Sequence, residues 1–321
     1  MKRLDLEDGE VSEDSSNSDP DLMQEPQYHQ PQRERLAMRR QPSTRNLRSQ
    51  IPYQMPSRGV STRTKQLSSL LAIIQRTNSR STSELFDKCE FSEWQAITSF
   101  YNYHDLIKTA LELHIKYELD CQRENLWKYA TQKACKQPLD VAQFRAFDAL
   151  FRTNNVKPTE FASCLRRVLE KSENKINCIR IIGLPNSGKT LISNCIVEPF
   201  ICCRMNNHGS ENEFFMSNML NKSIIQCEEL YITIATAEDF KSVLAGQPLD
   251  IAKKFNEKQT LARTPVIVTS NYEKFGRGHV PATDENALSL RCYTFRFDHV
   301  YKPPIKLDWH QFYQYLLSVI F

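Results

Sequence analysis

The octapeptide GLPNSGKT, residues 183–190, constrains this chain more than any other stretch. It reads G-x-x-x-x-G-K-[ST], and it sits in the setting that pattern requires. The β-branched run CIRII before it predicts a buried strand, and residues 190–197 after it suit a helix. Only 8 of the 321 residues are glycine, so a turn flanked by two of them is not a product of composition. Gly183 and Gly188 permit positive φ and let backbone N–H groups close on an anion. Leu184, Pro185, Asn186 and Ser187 form the turn between them, and the helix N-terminus adds partial positive charge. Lys189 then reaches the β- and γ-phosphates of a nucleoside triphosphate, and the Thr190 hydroxyl ligates Mg²⁺.

Strand-like runs recur downstream as KSIIQC, PVIVTS and CYTFRF. Strand, phosphate turn, helix and further strands predict an α/β fold with a largely parallel sheet flanked by helices, its ligand at the C-terminal strand ends. Upstream, residues 84–136 carry apolar residues at three- and four-residue spacing without Gly or Pro, a helical pattern. A second helical block starts at Asp140, turns near residues 156–158 and resumes with Thr159 as its N-cap. The closing FYQYLLSVIF reads as a terminal helix that packs on the rest, far too short to cross a membrane.

SIIQCEEL ends an apolar strand in two acids at a spacing usual for the second strand of such ATPases. Glu228 and Glu229 therefore fall beside the metal. One holds its water shell and the other activates the attacking water, and spacing alone does not allot the two roles. Asn271 closes the next strand with a side chain able to donate to the γ-phosphate or to the lytic water. Lys253, Lys254, Lys258 and Arg263 with Phe255 between them form a basic stretch of the kind that grips nucleic-acid phosphates and stacks on a base.

Composition separates the front of the chain from the rest. Residues 1–83 are polar and charged and read as a disordered tail, residues 84–172 as a helical domain, and residues 173–321 as the ATPase domain. Within the tail, acids from Asp5 to Asp21 precede arginines from Arg33 to Arg48, a segregation typical of interaction tails. The arginine block reads as a nuclear-import signal, a phosphate-binding arm or a solvated linker. The formal net charge of +4 does not by itself establish nucleic-acid binding. The ten cysteines show no C-x-x-C pair, so reduced thiols are expected rather than a zinc site or disulfides.

GLPNSGKT, IIQCEEL and FKSVLAGQPLDIAKKFNEKQTLARTPVIVTSN, in that order, resemble the superfamily 3 helicases of small DNA viruses. The match is best to the helicase portion of the parvovirus nonstructural (Rep) replication proteins and spans roughly residues 140–297. The resemblance implies an AAA+ ATPase that uses ATP and Mg²⁺, assembles as a homo-oligomeric ring around single-stranded DNA and works in viral replication in the host nucleus, with no membrane partner. It implies that Lys254, with Lys253 beside it, lies on a hairpin contacting the DNA backbone, and that Arg291 is an arginine finger for the neighbouring subunit's site. It also makes the helical segment a collar between subunits. The family's nicking domain has a His-hydrophobic-His motif that this chain lacks, so no nickase activity is expected. Asn256 stands where a second hairpin lysine is frequent, and the chain resembles truncated copies captured by larger DNA viruses. A non-motor regulator that binds DNA or a host factor is the alternative function, and a vestigial fold serving an interaction tail is a third.

Overall fold

The computed structural model describes residues 61–205, 214–253 and 256–320. Most of the expected tail, with both of its charge blocks, lies outside the described residues, as do Lys254 and Phe255.

Five strands form one sheet in the order β2-β3-β6-β1-β7, every pair parallel. They are β1 (Cys178–Gly183), β2 (Cys202–Met205), β3 (Ile224–Glu228), β6 (Val266–Ser270) and β7 (Cys292–Phe297). A separate antiparallel hairpin joins β4 (Leu249–Lys253) to β5 (Asn256–Leu261). Parallel strands covered on both faces are apolar almost throughout, and β1 and β6 are buried nearly end to end. Their side chains alternate between two cores. Ile179, Ile181, Ile224 and Ile267 face helices α5 (Leu126–Ala134), α6 (Val141–Thr153), α7 (Pro158–Leu169), α8 (Lys189–Val197) and α11 (Trp309–Ile320). Cys178, Ile225, Val266 and Val268 face α9 (Ala237–Ala245), α10 (Ala282–Ser289) and the hairpin residues Ile251 and Leu261.

A third core belongs to α1 (Thr62–Thr77), α2 (Thr82–Lys88), α3 (Phe91–Thr98) and α4 (Tyr103–Glu124). Residues 61–83 were expected in the tail, and here the structure differs. Ser61 caps α1 by accepting from the Thr64 N–H, and Leu70 and Ile74, one turn apart, are fully buried. The helical stretch 84–136 is broken into several helices without Gly or Pro. Asn102 takes a left-handed conformation and Asn125 caps α5 with its side chain, the two places where an Asn replaces the usual breakers. Thr159 is not the N-cap of α7. Pro158 occupies the first helical turn, where its missing N–H costs nothing, and Lys157 takes the cap position. Strand β2 had no counterpart in the sequence reading. The terminal helix α11 forms as expected and buries Phe312, Tyr313 and Leu316.

The α1–α4 unit is tied to the sheet unit by polar contacts. Arg80 donates to the Phe200 carbonyl at 2.6 Å, and Gln122 accepts from the Ile201 N–H at 2.9 Å and from the Ser223 hydroxyl at 2.5 Å.

Candidate functional site

The turn between β1 and α8 stands at the C-terminal end of the sheet's middle strands, and each of its glycines is required. Gly183 has φ +139°, and a Cβ there would lie 2.0 Å from the Phe297 carbonyl oxygen. Gly188 has φ +95° and would place a Cβ 2.5 Å from Leu150 Cδ1. Asn186 also takes positive φ, and its carbonyl accepts from the Tyr301 N–H at 3.0 Å. Ser187 is buried and its hydroxyl donates back to the Leu184 carbonyl at 2.8 Å, while Leu184, Pro185 and Thr190 face solvent. The turn thus borrows its shape from α6, β7 and the segment after β7.

Lys189 is only 6% exposed, an unusual place for an ammonium. Its three donors are satisfied by the Gly183 carbonyl at 2.9 Å, the Leu184 carbonyl at 2.5 Å and Asn271 Oδ1 at 2.9 Å. Burial lowers its pKa from the ordinary lysine value, and the charges of Glu229 and Asp298 oppose that. Asn271 also donates its N–H to Glu229 Oε2 at 3.2 Å. Glu229 sits at φ +51° just past β3, with its N–H on the Thr269 carbonyl at 2.8 Å. Glu228 is exposed at the end of β3, in register with Thr269. Three sequence-predicted residues, Lys189, Glu229 and Asn271, are therefore linked by hydrogen bonds, with Glu228 next to them on the strand end.

A cleft of about 590 Å³ opens over the turn between residues 186–191 and residues 300–303. Val300, Tyr301, Lys302 and Pro303 were not singled out by sequence, nor was Asp298. They reach the site because β7 lies beside β1, a neighbour relation that only topology reveals. Arg277 was missed as well. It stacks over Tyr272 at 4.1 Å and donates to the Glu229 carbonyl at 3.4 Å, placing a cation beside the second acid.

Other expected residues lie apart from this site. Arg291 precedes β7 at the N-terminal strand ends. Gly183 pairs with Phe297 and Cys178 with Cys292, so Arg291 is separated from the cleft by the strand's length, about 16 Å. Its guanidinium donates to the Ala287 carbonyl of its own chain, and its Nε is buried without a partner. Lys253 ends β4, where its backbone pairs with Asn256 in the hairpin. Arg263, grouped above with the basic stretch, is instead half-buried and held by the Glu173 and Ile176 carbonyls at 2.6 and 2.9 Å.

The donor set suits a magnesium triphosphate. A buried lysine facing carbonyl and amide oxygens can exchange them for phosphate oxygens, and Mg²⁺ takes one or two protein ligands with the rest from phosphate and water. The exposed Thr190 hydroxyl and Glu228 carboxylate meet that demand. Among the described residues no cluster of three or more His, Cys, Asp or Glu forms a stand-alone metal site, and no helix is long and apolar enough to cross a membrane.

The family model described as parvovirus non-structural protein NS1 matches residues 73–304. The initiator protein NS1 of Bombyx mori densovirus is 29% identical over 120 residues, 36% of this chain and 13% of that protein. Protein Rep52 of adeno-associated virus 2 is 30% identical over 138 residues, 42% of this chain and 34% of that protein. The replication protein E1 of European elk papillomavirus is 25% identical over 187 residues, 56% of this chain and 30% of that protein. The chain thus spans about a third or less of the length of these relatives. An inhibitor-bound JCV helicase shares the fold at a TM-score of 0.55 and 11% identity, covering 82% of this chain and 87% of that one.

Proposed function

From the premise that this chain belongs to the parvovirus non-structural protein NS1 family, whose superfamily 3 helicase domain it carries, we propose that it hydrolyses Mg-ATP to move along or unwind DNA in viral replication. The observation that carries this reading is the linked trio Lys189, Asn271 and Glu229 beneath the glycine-flanked turn. A helicase fold alone does not fix an activity. A buried ammonium bonded to the Asn271 side-chain amide, with a carboxylate held by the backbone N–H of the same residue, supplies a donor, a sensor and a base for phosphoryl transfer to water.

In this reading the backbone of residues 183–190 cradles the phosphates, and Lys189 leaves its carbonyl partners to bind the β- and γ-oxygens. Thr190 and Glu228 would hold magnesium, which would supply positive charge against the phosphates. Glu229 accepts the proton of the attacking water, and Asn271 orients that water or the γ-phosphate. Developing negative charge meets Lys189 in a site partly shielded from solvent, where each such contact counts for more than in water. Tyr301 and its neighbours wall the cleft toward the nucleoside.

Arg291 serves a neighbouring subunit. Its position a strand's length from its own cleft supports an action in trans, so hydrolysis depends on assembly into a ring. The α1–α4 unit acts as the collar of that ring, and Lys253 and Lys254 contact the backbone of single-stranded DNA. The place of work is the host nucleus. Strand displacement on a tailed duplex, with ATP and Mg²⁺, tests the motor. Release of the strand is the expected result, and rapid hydrolysis without release would favour a DNA-bound regulator over a helicase.

A further inference from the structure

The descending arm of the hairpin returns to the sheet beside a second cavity, of about 400 Å³. It lies at the end of the sheet opposite the nucleotide cleft, because Thr264 and Ser223 in its wall directly precede the N-terminal ends of β6 and β3. Arg123 from the end of α4, Lys171 after α7, Lys222 before β3 and Arg263 below β5 line it, and no Asp or Glu does.

None of these cations forms an ion pair among the described residues. Two acids of the adjoining segments are bonded to other groups. Glu173 binds Arg167 at 3.2 Å, and Asp250 accepts from the Thr260 hydroxyl at 2.6 Å. Arg263 is fixed by its carbonyl bonds and by Asn177 Oδ1 at 3.2 Å, which leaves Nη1 unused. Lys171 is half-buried at φ +56°, its ammonium 3.5 Å from the Arg123 carbonyl. Burial, then the charges of Arg123 and Arg263, hold its pKa below the ordinary lysine value. The fold therefore gathers positive charge from four separate segments into one concavity, with only the charge of Glu173 acting on Arg263 and no ion pair among the described residues to neutralise it.

We propose that this cavity binds a backbone phosphate of single-stranded nucleic acid, as a second contact below the hairpin tip. The inference rests on the DNA-binding reading above. Phosphodiester is favoured over a free phosphate compound by continuity. Strand β5 runs about 20 Å from Asn256, which pairs with Lys253 at the end of β4, down to this cavity, a span of several nucleotides. Lysine and arginine contacts to phosphate carry no sequence preference and are weakened by salt.

The test is fluorescence anisotropy of a labelled oligothymidylate with the full chain, a non-hydrolysable ATP analogue and Mg²⁺, across a salt series. The proteins compared are the natural chain, Arg123→Gln, Lys222→Gln, the double variant and Arg123→Lys. The Arg123 and Lys222 side chains make no hydrogen bond among the described residues, so circular dichroism should find all variants folded. The expected result is several-fold weaker binding for each Gln variant, a salt slope shallower by about 0.7 per removed contact, and recovery in Arg123→Lys. Unchanged affinity and slope in the double variant would overturn the proposal while leaving the DNA reading intact. If the natural chain binds no oligonucleotide at any salt, the DNA reading fails first. Two other results also overturn the proposal. One is pyrophosphate uptake by calorimetry that the double variant loses while DNA affinity stays; the other is loss of assembly by mass measurement with DNA affinity retained.

Discussion

The Lys189 ammonium donates to Asn271 Oδ1 at 2.9 Å, joining the first turn of α8, which follows β1, to the end of the neighbouring strand β6. Asn271 thus holds the lysine, and in the proposed function it would sense the γ-phosphate with it. Asn271→Ala is expected to keep nucleotide affinity within a few-fold while kcat falls by about 10²–10³, the cost of losing one preorganised donor. Fluorescent-nucleotide titration and steady-state hydrolysis separate the two. Equal losses in both would make Asn271 a binding residue only.

Glu228 and Glu229 are sequence neighbours in different surroundings, and the proposed division of their roles rests on that difference. Glu229 accepts from the Asn271 N–H at 3.2 Å, whereas Glu228 ends the strand in solvent. Glu229→Gln should lower kcat by about 10²–10⁴ at saturating Mg²⁺, as loss of a general base does. Glu228→Gln should instead raise the Mg²⁺ concentration needed for half-maximal rate. A magnesium titration of both variants checks this, and the reverse pattern would exchange the assignments.

Gly183→Ala places a methyl group 2.0 Å from the Phe297 carbonyl oxygen at φ +139°. Overpacking and backbone strain together should cost about 3 kcal/mol. The melting temperature should then drop by about 6–12 °C. Differential scanning calorimetry measures it, and a change under a degree would mean that the β1–β7 contact yields easily.

Acid sensitivity should trace to His114, which is 3% exposed with neither ring nitrogen bonded. Burial lowers its pKa from the ordinary 6.5; Glu118 opposes the shift, and Lys133 and Arg80 add to it. Below that value the unfolded chain takes up a proton that the folded chain resists, so stability declines as pH falls from about 6.5 toward the folded pKa and is level above. Glu118 acts in a lower window. Burial alone would raise its pKa, but bonds from Tyr129 and Lys133 bring it below 4.5, so its contribution is lost only as pH falls through that lowered value. His114→Leu should therefore flatten the loss of stability between about pH 6.5 and pH 5.5. Urea unfolding at several pH values reads this directly, and parallel pH curves for both proteins would remove His114 from the explanation.

Features carried by short contiguous segments were legible in the sequence. The turn at 183–190, the acids ending β3 and the asparagine ending β6 each follow from a local pattern of apolar run and turn residues, and so does the amphipathic helix α11. Features made by neighbour relations were not. Asp298 and the wall at residues 300–303 come to the cleft only because β7 pairs with β1. Strand β2 is four residues long, too short for periodicity to mark. Helix α1 adjoins the polar tail, and its short apolar run from Leu67 to Ile74, of which only Leu70 and Ile74 are fully buried, is masked by the polar residues on either side. Arg263 reads in sequence as one of a basic run on the hairpin, because charge is visible there while the carbonyls that fix it below the hairpin are not.

Steady-state ATP hydrolysis, with and without single-stranded DNA, in the natural chain and in Lys189→Ala tests the central claim most directly. Magnesium-dependent hydrolysis that DNA stimulates and that Lys189→Ala loses by about 10²-fold or more is the expected result. The same rate in the variant as in the natural chain would contradict the assignment of this turn as the engine of the protein.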